Sequence, residues 1–393
     1  MVNETLVALV HKLKERGATN IAGAPFGVTG ILKRSEWLDL RAQTESRMDA
    51  IAKSPGMALG SRRKKPGEDE LKRIAEVFRQ EGVRYFFFIG GDDTAKATNL
   101  IRTYVTQANY EMTLIHVPKT IDNDLLEPHD RTPGFASAAR FVAHAVAGTD
   151  RDNASIPGVH IVVTMGKEAG YLAASSVLAK RSDLDGPHRV YVPEREFSIP
   201  GFVADVKDTF EKLGRGLFVV SEGIMIKDSG GKLVLLSEHL GTVLGADGFG
   251  GLSLSGTGAM GDALVKIVQE KTGIPRARSD TYGYMQRSLL GWRAEQDVVD
   301  ARAVAVWAVK YALLDNGGGS VALAPLSDSQ VLATLAPLEI IGSGKRPMPQ
   351  ELLSETGCGI NVERFRAYAE PLVGEIQKTA DLEHLPFRPA KGN

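Results

Sequence analysis

The sequence has almost no cysteine, since Cys358 is the only one among 393 residues. A single thiol excludes an intrachain disulfide and a cysteine-rich metal site, and it is typical of a protein from a reducing cytoplasm. Net charge is also nearly absent, because 47 Lys and Arg residues face 48 Asp and Glu residues, for a formal net charge of -1. Without a long-range positive field, the chain is not expected to bind nucleic acid or an anionic membrane.

The first residues lack a long apolar run. Charged residues Glu4, Lys12 and Lys14 interrupt the apolar periodicity there, so neither a signal peptide nor a transmembrane helix is predicted. We therefore expect a cytoplasmic protein. Its length, with 43% hydrophobic and 24% charged residues, is typical of a globular enzyme built from two lobes.

Short apolar runs alternate with longer amphipathic stretches, a pattern typical of a parallel sheet covered by helices. In the clearest unit, residues 69–82 predict a helix, 83–89 a strand, the stretch from Thr94 a second helix and 112–117 the next strand. Helices are also predicted at 134–148, 169–180, 257–273 and 298–314, strands at 159–165, 189–192, 217–221 and 321–324, and an appended hairpin at 224–236. The alternation predicts a doubly wound α/β fold.

A glycine-rich acidic motif, Gly-Gly-Asp-Asp-Thr, occupies residues 90–94, where a predicted strand passes into a helix. The glycines let the main chain approach a ligand, and free N–H groups at a helix N-terminus attract phosphate. Two carboxylates would repel a bare phosphate, so at least one is predicted to hold Mg²⁺ together with phosphate oxygens. The alternative is a plain helix cap, for which Asp is also favoured.

A second acidic motif, Pro-Lys-Thr-Ile-Asp-Asn-Asp, occupies residues 118–124 after the next predicted strand. Its carboxylates and amide would, in the simplest interpretation, only shape the loop through bonds to the backbone. In open α/β folds, however, ligands bind at the carboxyl ends of adjacent strands. Because both motifs follow neighbouring strands of one βαβ unit, we expect them to face one cleft.

Together the two motifs resemble those of the phosphofructokinase family in its pyrophosphate-using branch. The ATP users of that family typically have glycine where this chain has Asp93 and Lys119. Further matching motifs follow in family order: Gly-Ser-Arg-Arg (60–63), Met-Gly-Lys-Glu-Ala-Gly (165–170), Val-Pro-Glu (192–194), Ser-Glu-Gly (221–223), Asp-Gly-Phe-Gly (247–250) and Gly-Tyr-Met-Gln-Arg-Ser (283–288). The matches extend over nearly the whole chain, which makes chance similarity a poor explanation.

The resemblance implies that a phosphoryl group moves from pyrophosphate to the C1 hydroxyl of fructose 6-phosphate in a reversible reaction. It implies that Asp122 is the general base and that Thr120 and Asp124 shape the catalytic site. Asp92 is expected to hold Mg²⁺, the only cofactor implied. Arg63 is expected to reach the transferred phosphoryl group, where positive charge stabilises the transition state.

The resemblance also implies two sets of substrate contacts. The residues expected to bind pyrophosphate and set donor specificity are Gly91, Asp93 and Lys119. Lys119 supplies a compact cation, and Asp93 fills the space that a nucleotide needs and repels its phosphate. The residues expected to bind fructose 6-phosphate are Thr120, Asp122, Met165, Gly166, Lys167, Glu222, Arg278, Tyr284 and Arg287.

Two departures concern the acceptor pocket. Lys167 stands where family members usually have arginine, so the charge is kept but the forked donor geometry is lost. Many relatives also place a phosphate-binding arginine where this chain has Pro157 and Gly158. We therefore expect a less cationic acceptor pocket than is usual in the family.

The start of the chain departs as well. Helical periodicity begins at Val2 and ends at Gly17 with no strand before it, whereas family chains normally begin with a strand and a Gly-Gly phosphate loop. About twenty residues are missing by this comparison. The favoured interpretation is a recorded start downstream of the true one. The alternative is a deviant form without the loop, which would leave strand edges unpaired.

The implied fold is α/β and phosphofructokinase-like, with two doubly wound parallel-sheet lobes and the active site between them. Residues 1–150 are expected to form the pyrophosphate and Mg²⁺ lobe, 151–320 the sugar-phosphate lobe, and 321–393 a segment that packs back on the lobes. A homodimer or homotetramer is implied. The alternatives are an ATP-dependent phosphofructokinase, a kinase of a related sugar phosphate, and a catalytically weak regulatory subunit that binds sugar phosphates.

Overall fold

In the computed structural model, two four-stranded β-sheets carry the helices on their faces. The structure describes residues 1–62, 64–242, 257–314, 318–326, 330–380 and 382. The strands are β1 (Ala22–Gly23), β2 (Leu38–Asp39), β3 (Tyr85–Gly90), β4 (Thr113–Pro118), β5 (Val159–Thr164), β6 (Arg189–Tyr191), β7 (Gly216–Ser221), β8 (Met225–Lys227), β9 (Leu233–Leu235), β10 (Ala277–Thr281), β11 (Gly318–Pro325) and β12 (Val331–Ala336).

The helices alternate with these strands. They are α1 (Val2–Glu15), α2 (Val28–Ile31), α3 (Glu45–Lys53), α4 (Glu68–Gln80), α5 (Asp92–Gln107), α6 (Phe135–Ser155), α7 (Tyr171–Ala174), α8 (Ile199–Leu213), α9 (Leu236–His239), α10 (Ala259–Thr272), α11 (Met285–Ser288), α12 (Glu295–Ala312), α13 (Leu338–Ile341) and α14 (Val362–Val373). Short 3₁₀ turns occur at Arg34–Glu36, Ser175–Ala179 and Gln350–Leu352. The predicted α/β class is confirmed.

The first sheet has the strand order β12-β11-β4-β3. Strands β3, β4 and β11 are parallel, and β12 is antiparallel to β11. In the register of β3 and β4, Gly90 pairs with Pro118. The two acidic motifs therefore follow adjacent strand ends, as the sequence predicts.

The second sheet has the order β10-β5-β7-β6, and its strands are all parallel. Thr164 at the end of β5 pairs with Ser221 at the end of β7. This register sets the Met-Gly-Lys motif that begins at Met165 beside Glu222. Each sheet thus collects polar motifs at the carboxyl ends of its strands, where open α/β folds bind ligands.

Helix α4 shows how the apolar pattern builds the first lobe. Its buried residues are Leu71, Ile74, Ala75 and Phe78, at the three- and four-residue spacing of one helix face. Phe78 contacts Phe86 of β3 with ring centroids 5.1 Å apart. The periodicity read from the sequence therefore becomes a helix face packed on the sheet.

Helix α12 belongs to the core of the first sheet. Val304 and Ala308 are fully buried in one apolar cluster with Leu9 of α1 and Ile115 of β4. The following strand β11 then pairs with β4. Helix α12 therefore packs beside the first sheet, although it lies in the 151–320 range. The predicted lobe boundaries at 150 and 320 stay predictions.

Two local predictions need correction. The helix predicted at 169–180 is short, because α7 passes into a 3₁₀ turn where the Ser175 hydroxyl donates to the Tyr171 carbonyl at 2.7 Å and so competes with the helical bonding. The hairpin predicted at 224–236 forms, but β8 and β9 make their own two-stranded sheet. Among the described residues, no helix has the length and apolar character needed to span a bilayer.

A buried histidine ties the end of β3 to the neighbouring strands. His116 on β4 is fully buried, with Nε2 donating to the Gly90 carbonyl at 3.0 Å and Nδ1 accepting from the Ser320 hydroxyl at 2.7 Å. Burial lowers its pKa to about 4. The imidazole is therefore neutral in the folded protein at pH values where the unfolded chain protonates it.

This difference predicts a pH-dependent stability. Below about pH 6.5 the unfolded chain binds a proton that the folded chain binds only near pH 4, so stability is lost as the pH falls through this window, by about 3 kcal/mol at most. His116→Gln should flatten the slope of the unfolding free energy against pH between 6.5 and 4.5 in urea titrations. His239→Gln, at an exposed position, should keep the wild-type slope. Equal slopes in the wild type and His116→Gln would contradict the assignment.

Candidate active site

The first motif lies at the junction of β3 and α5. A Cβ atom at Gly90 would lie 2.1 Å from Thr94 Oγ1, so only glycine fits there. Gly91 caps α5 and lies beside Thr120 of the second motif. Asp92, the first residue of the helix, is 9% exposed. The backbone thus turns sharply, with the N-terminus of α5 open toward the second motif.

The two acidic side chains of this motif differ in their surroundings. Asp92 Oδ2 lies 3.0 Å from Lys96 Nζ and 3.9 Å from Lys345 Nζ. The Asp93 side chain is 45% exposed, with Oδ1 at 3.8 Å from Lys96 Nζ. Asp92 therefore points into the cluster of charges, and Asp93 lies nearer to solvent on the first turn of α5.

The second motif is a loop with a fixed backbone. The Lys119 amide donates to the Gly90 carbonyl at 2.8 Å, and the Asp122 amide donates to Thr120 Oγ1 at 3.1 Å. Asn123 has a φ of 57°, and its Oδ1 accepts from the Thr132 amide at 3.0 Å. Thr120 and Asn123 therefore shape the loop that carries Asp122.

The charges at this loop perturb one another. The pKa of Asp122 is raised, chiefly because the surrounding protein removes water from its carboxylate. The cations of Lys345 and Lys119 oppose that rise, and the negative charge of Asp92 adds to it. Asp124 is 3% exposed, and its burial together with the charge of Asp122 raises its pKa to about 7. A raised pKa makes a carboxylate a stronger proton acceptor, which suits a general base.

The motifs of the second sheet meet one another directly. Gly166 has a φ of 123°, and a Cβ at Gly223 would lie 1.8 Å from the Lys167 carbonyl oxygen, so both turns require glycine. The Glu222 amide donates to the Thr164 carbonyl at 2.9 Å. Met165 and Glu222 are buried at 7% and 8% exposure, and Lys167 is half-buried. These predicted sugar-pocket residues therefore form one surface.

The motif at 283–288 packs against this surface. The Met165 amide donates to Gln286 Oε1 at 3.3 Å, and the Arg287 guanidinium lies 4.5 Å from the centroid of the Tyr284 ring. The positive charge of Arg287 acts to lower the pKa of Asp122. Arg287 is thus within electrostatic range of the carboxylates of the first sheet, and the two sets of motifs share one site.

Arg278 is placed differently from the other predicted residues. It is exposed on β10, an edge strand, and its guanidinium donates to the Ala277 carbonyl at 3.0 Å. Within the described part of the chain, no hydrogen bond or ion pair joins it to Asp122 or Arg287. Its role in binding phosphate stays a prediction. Arg63 and the motif at 247–250 lie outside the described residues.

Sequence analysis missed Lys345 and Arg346. Lys345 Nζ lies 2.7 Å from Glu168 Oε1 and 3.9 Å from both Asp92 Oδ2 and Asp124 Oδ2. The Arg346 amide donates to the Asp124 carbonyl at 2.7 Å. The available signal was weak, since a Lys-Arg pair followed by proline has no helix or strand period.

Carboxylates and cations lie together at the carboxyl ends of the parallel strands in both sheets. This arrangement is typical of α/β proteins that bind phosphate groups. Residues 1–312 match the Phosphofructokinase family. The chain belongs to the phosphofructokinase family.

The comparisons also identify particular relatives. The pyrophosphate–fructose 6-phosphate 1-phosphotransferase of Rhodospirillum rubrum is 40% identical over 375 residues, which cover 95% of this chain and 91% of the relative. The protein of the same name from Xanthomonas campestris is 32% identical over 398 residues, which cover 98% and 92%. The crystal structure of the pyrophosphate-dependent phosphofructokinase of Marinobacter aquaeolei is 25% identical with a TM-score of 0.81, covering 98% of this chain and 91% of that chain.

Proposed function

We propose that the protein transfers a phosphoryl group from pyrophosphate to the C1 hydroxyl of fructose 6-phosphate, giving fructose 1,6-bisphosphate and phosphate, and that the reaction is reversible. The observation that supports this proposal is that Lys345 Nζ lies 3.9 Å from Asp92 Oδ2 and Asp124 Oδ2 in the acidic motifs and 2.7 Å from Glu168 Oε1 in the sugar-pocket motif, so that motifs of both sheets meet. The Rhodospirillum rubrum relative carries this activity in its name and matches the chain almost throughout.

The proposed chemistry assigns one role to each charged group. Asp122 takes the proton of the C1 hydroxyl, whose oxygen attacks the terminal phosphorus of pyrophosphate. The bridging P–O bond then breaks, and phosphate leaves with the bonding electron pair. Lys119 binds pyrophosphate, and Arg287 with Tyr284 binds the 6-phosphate through charge-assisted hydrogen bonds. The transferred group thus lies between a donor-binding cation and an acceptor-side base.

Mg²⁺ is part of the proposal, with Asp92 as its protein ligand. Among the described residues, no group of three or more His, Cys, Asp and Glu side chains forms a metal cage. Mg²⁺ does not need one, because it is usually held by one or two carboxylates together with substrate phosphates and water. The buried Asp92 carboxylate beside the phosphate-binding helix terminus fits that donor set. When bound, the ion would neutralise charge on the pyrophosphate.

The proposal extends to the assembly and location of the protein. We infer a homodimer or homotetramer in the cytoplasm, with fructose 6-phosphate and pyrophosphate as the partners and without nucleic acid or membrane. The balanced charge of the chain supports the absence of nucleic acid and membrane partners.

A coupled assay tests the proposed function. Pyrophosphate, Mg²⁺ and fructose 6-phosphate should give fructose 1,6-bisphosphate, and the rate with ATP in place of pyrophosphate should be lower. A higher rate with ATP would favour the ATP-dependent alternative. Binding of fructose 6-phosphate without turnover of either donor would favour the regulatory subunit.

Arg287→Ala tests the acceptor side. Loss of a charge-assisted contact to phosphate should raise KM for fructose 6-phosphate by about one to two decades, since such bonds contribute about 1.5–3 kcal/mol. KM for pyrophosphate should change much less. Arg278→Ala should act in the same direction, and Arg73→Ala, at an exposed position on α4, should leave both constants unchanged. Equal increases for the two substrates would remove Arg287 from the 6-phosphate site.

A further inference from the structure

A lysine from the C-terminal part of the chain reaches the charges of both sheets. Lys345 follows α13, and its ammonium lies 3.9 Å from Asp92 Oδ2 on α5 and 3.9 Å from Asp124 Oδ2 on the second motif. It also lies 2.7 Å from Glu168 Oε1, in the loop after β5. A single cation therefore lies among carboxylates of both sheets.

The neighbouring arginine fixes this position. The Arg346 amide donates to the Asp124 carbonyl at 2.7 Å, and its guanidinium donates to the carbonyls of Asn123 at 3.3 Å and Asp130 at 2.8 Å. It also donates to the His129 carbonyl. Arg346 thus ties the backbone next to residue 345 to the loop that carries Asp122. These hydrogen bonds fix the position of the lysine backbone relative to that loop.

The hydrogen bonds of the ammonium are incomplete. A lysine ammonium has three donors, and among the described residues only Glu168 lies within hydrogen-bond distance. Asp92 and Asp124, at 3.9 Å, are too far for a direct bond. The remaining N–H groups can therefore donate to new oxygen partners between the two carboxylates.

The pair with Glu168 does not account for the position. The Glu168 side chain is 45% exposed, and an ion pair with an exposed partner contributes little to stability. Lys345 itself is only 23% exposed. Burial alone would lower its pKa, but the carboxylates of Asp92, Glu168 and Asp124 outweigh that effect and raise it, so the ammonium keeps its charge.

We propose that Lys345 is a catalytic residue that contacts the phosphoryl group during its transfer, with its free donors bonding the oxygens that pass between Asp92 and Asp122. This inference rests on the proposed function. Lys345 exchanges no proton in the step. Its positive charge stabilises the negative charge on the phosphoryl oxygens while the bridging P–O bond breaks and the bond to the C1 oxygen forms.

Lys345→Met tests the contact by removing the charge from a side chain of similar length. Loss of one such donor should lower kcat by about 10²–10³-fold. The Kd for fructose 6-phosphate, measured by calorimetry, should stay within about threefold of the wild type, since only the transition state loses an interaction. Lys345→Arg, which keeps a cation, should lose less activity than Lys345→Met.

Two control variants test whether the loss of any nearby charge would lower kcat in the same way. Glu168→Gln removes the negative charge 2.7 Å from Lys345 Nζ, and Lys96→Met removes the other cation near Asp92. Both should keep kcat within about fivefold of the wild type, which is small beside the loss expected for a transition-state contact.

Three results would overturn the assignment. They are a Lys345→Met enzyme with near-normal kcat, a Glu168→Gln enzyme as impaired as Lys345→Met, and a loss of kcat matched by an equal loss of fructose 6-phosphate binding. A wild-type protein that turns over ATP but not pyrophosphate would instead refute the proposed donor, and the same variants would then be compared with ATP.

Discussion

Replacement of Asp122 by asparagine is expected to lower kcat by about 10²–10⁴-fold, the usual contribution of a general base. The amide keeps the size of the side chain but cannot accept the proton of the C1 hydroxyl. The Asp122 amide N–H, which donates to Thr120 Oγ1, is a backbone group and remains. The loop should therefore keep its shape, and steady-state kinetics should show a large change in kcat with a small change in KM for fructose 6-phosphate.

Asp124→Asn is the matched comparison, because Asp124 is a buried carboxylate on the same loop. If Asp122 is the base, Asp124→Asn should lower kcat less than Asp122→Asn does, because it alters only the charge beside the base. A larger loss in Asp124→Asn would exchange the two roles. Near-normal kcat in Asp122→Asn would exclude it as the base.

The sequence could predict where the strands β3 and β4 end because the relevant signals are local. An apolar β-branched or aromatic run followed by Gly90 and Gly91 indicates the end of a strand, and the same reasoning applies before Lys119. Parallel strands end on the same side of a sheet. The register in the structure pairs Gly90 with Pro118 and brings the two motifs together.

The position of Lys345 could not be predicted in this way. It lies 3.9 Å from Asp124 in space, yet the two are far apart along the chain, and only tertiary packing of α13 and the following loop joins them. The position of α12 has the same origin. Its period predicts a helix, but only the complementary surface of α1 and β4 determines which sheet it covers.

The charge environment also depends on the complete fold. The sequence predicts Asp122 as a base from resemblance, but the rise of its pKa comes from burial, which only the assembled site produces. The glycines at 166 and 223 are also motif residues, and the structure explains why glycine is required there. Two loops approach so closely at these positions that a Cβ atom would not fit. Local motifs therefore identify the candidate site residues, and the packing of the folded chain determines their burial and pKa values.

A change of phosphoryl donor is expected when Asp93 and Lys119 are both replaced by glycine. Asp93→Gly removes a carboxylate from the first turn of α5 and opens space for a nucleotide, so some use of ATP should appear. Lys119→Gly removes the cation proposed to contact pyrophosphate in the transition state, so turnover with pyrophosphate should fall. In the double variant, the ratio of kcat/KM for ATP to that for pyrophosphate should rise more than about tenfold, equivalent to about 1.4 kcal/mol.

The double variant keeps one backbone bond that holds the loop against the first motif. The backbone N–H of residue 119 donates to the Gly90 carbonyl at 2.8 Å, and glycine retains that donor. Lys232→Gly, at an exposed position between β8 and β9, controls for the loss of a lysine. If Asp93 and Lys119 only shaped the loop, both donors would suffer alike. An unchanged ratio in a folded double variant that still binds fructose 6-phosphate would therefore refute the role of these residues in donor choice, while membership of the family would stand.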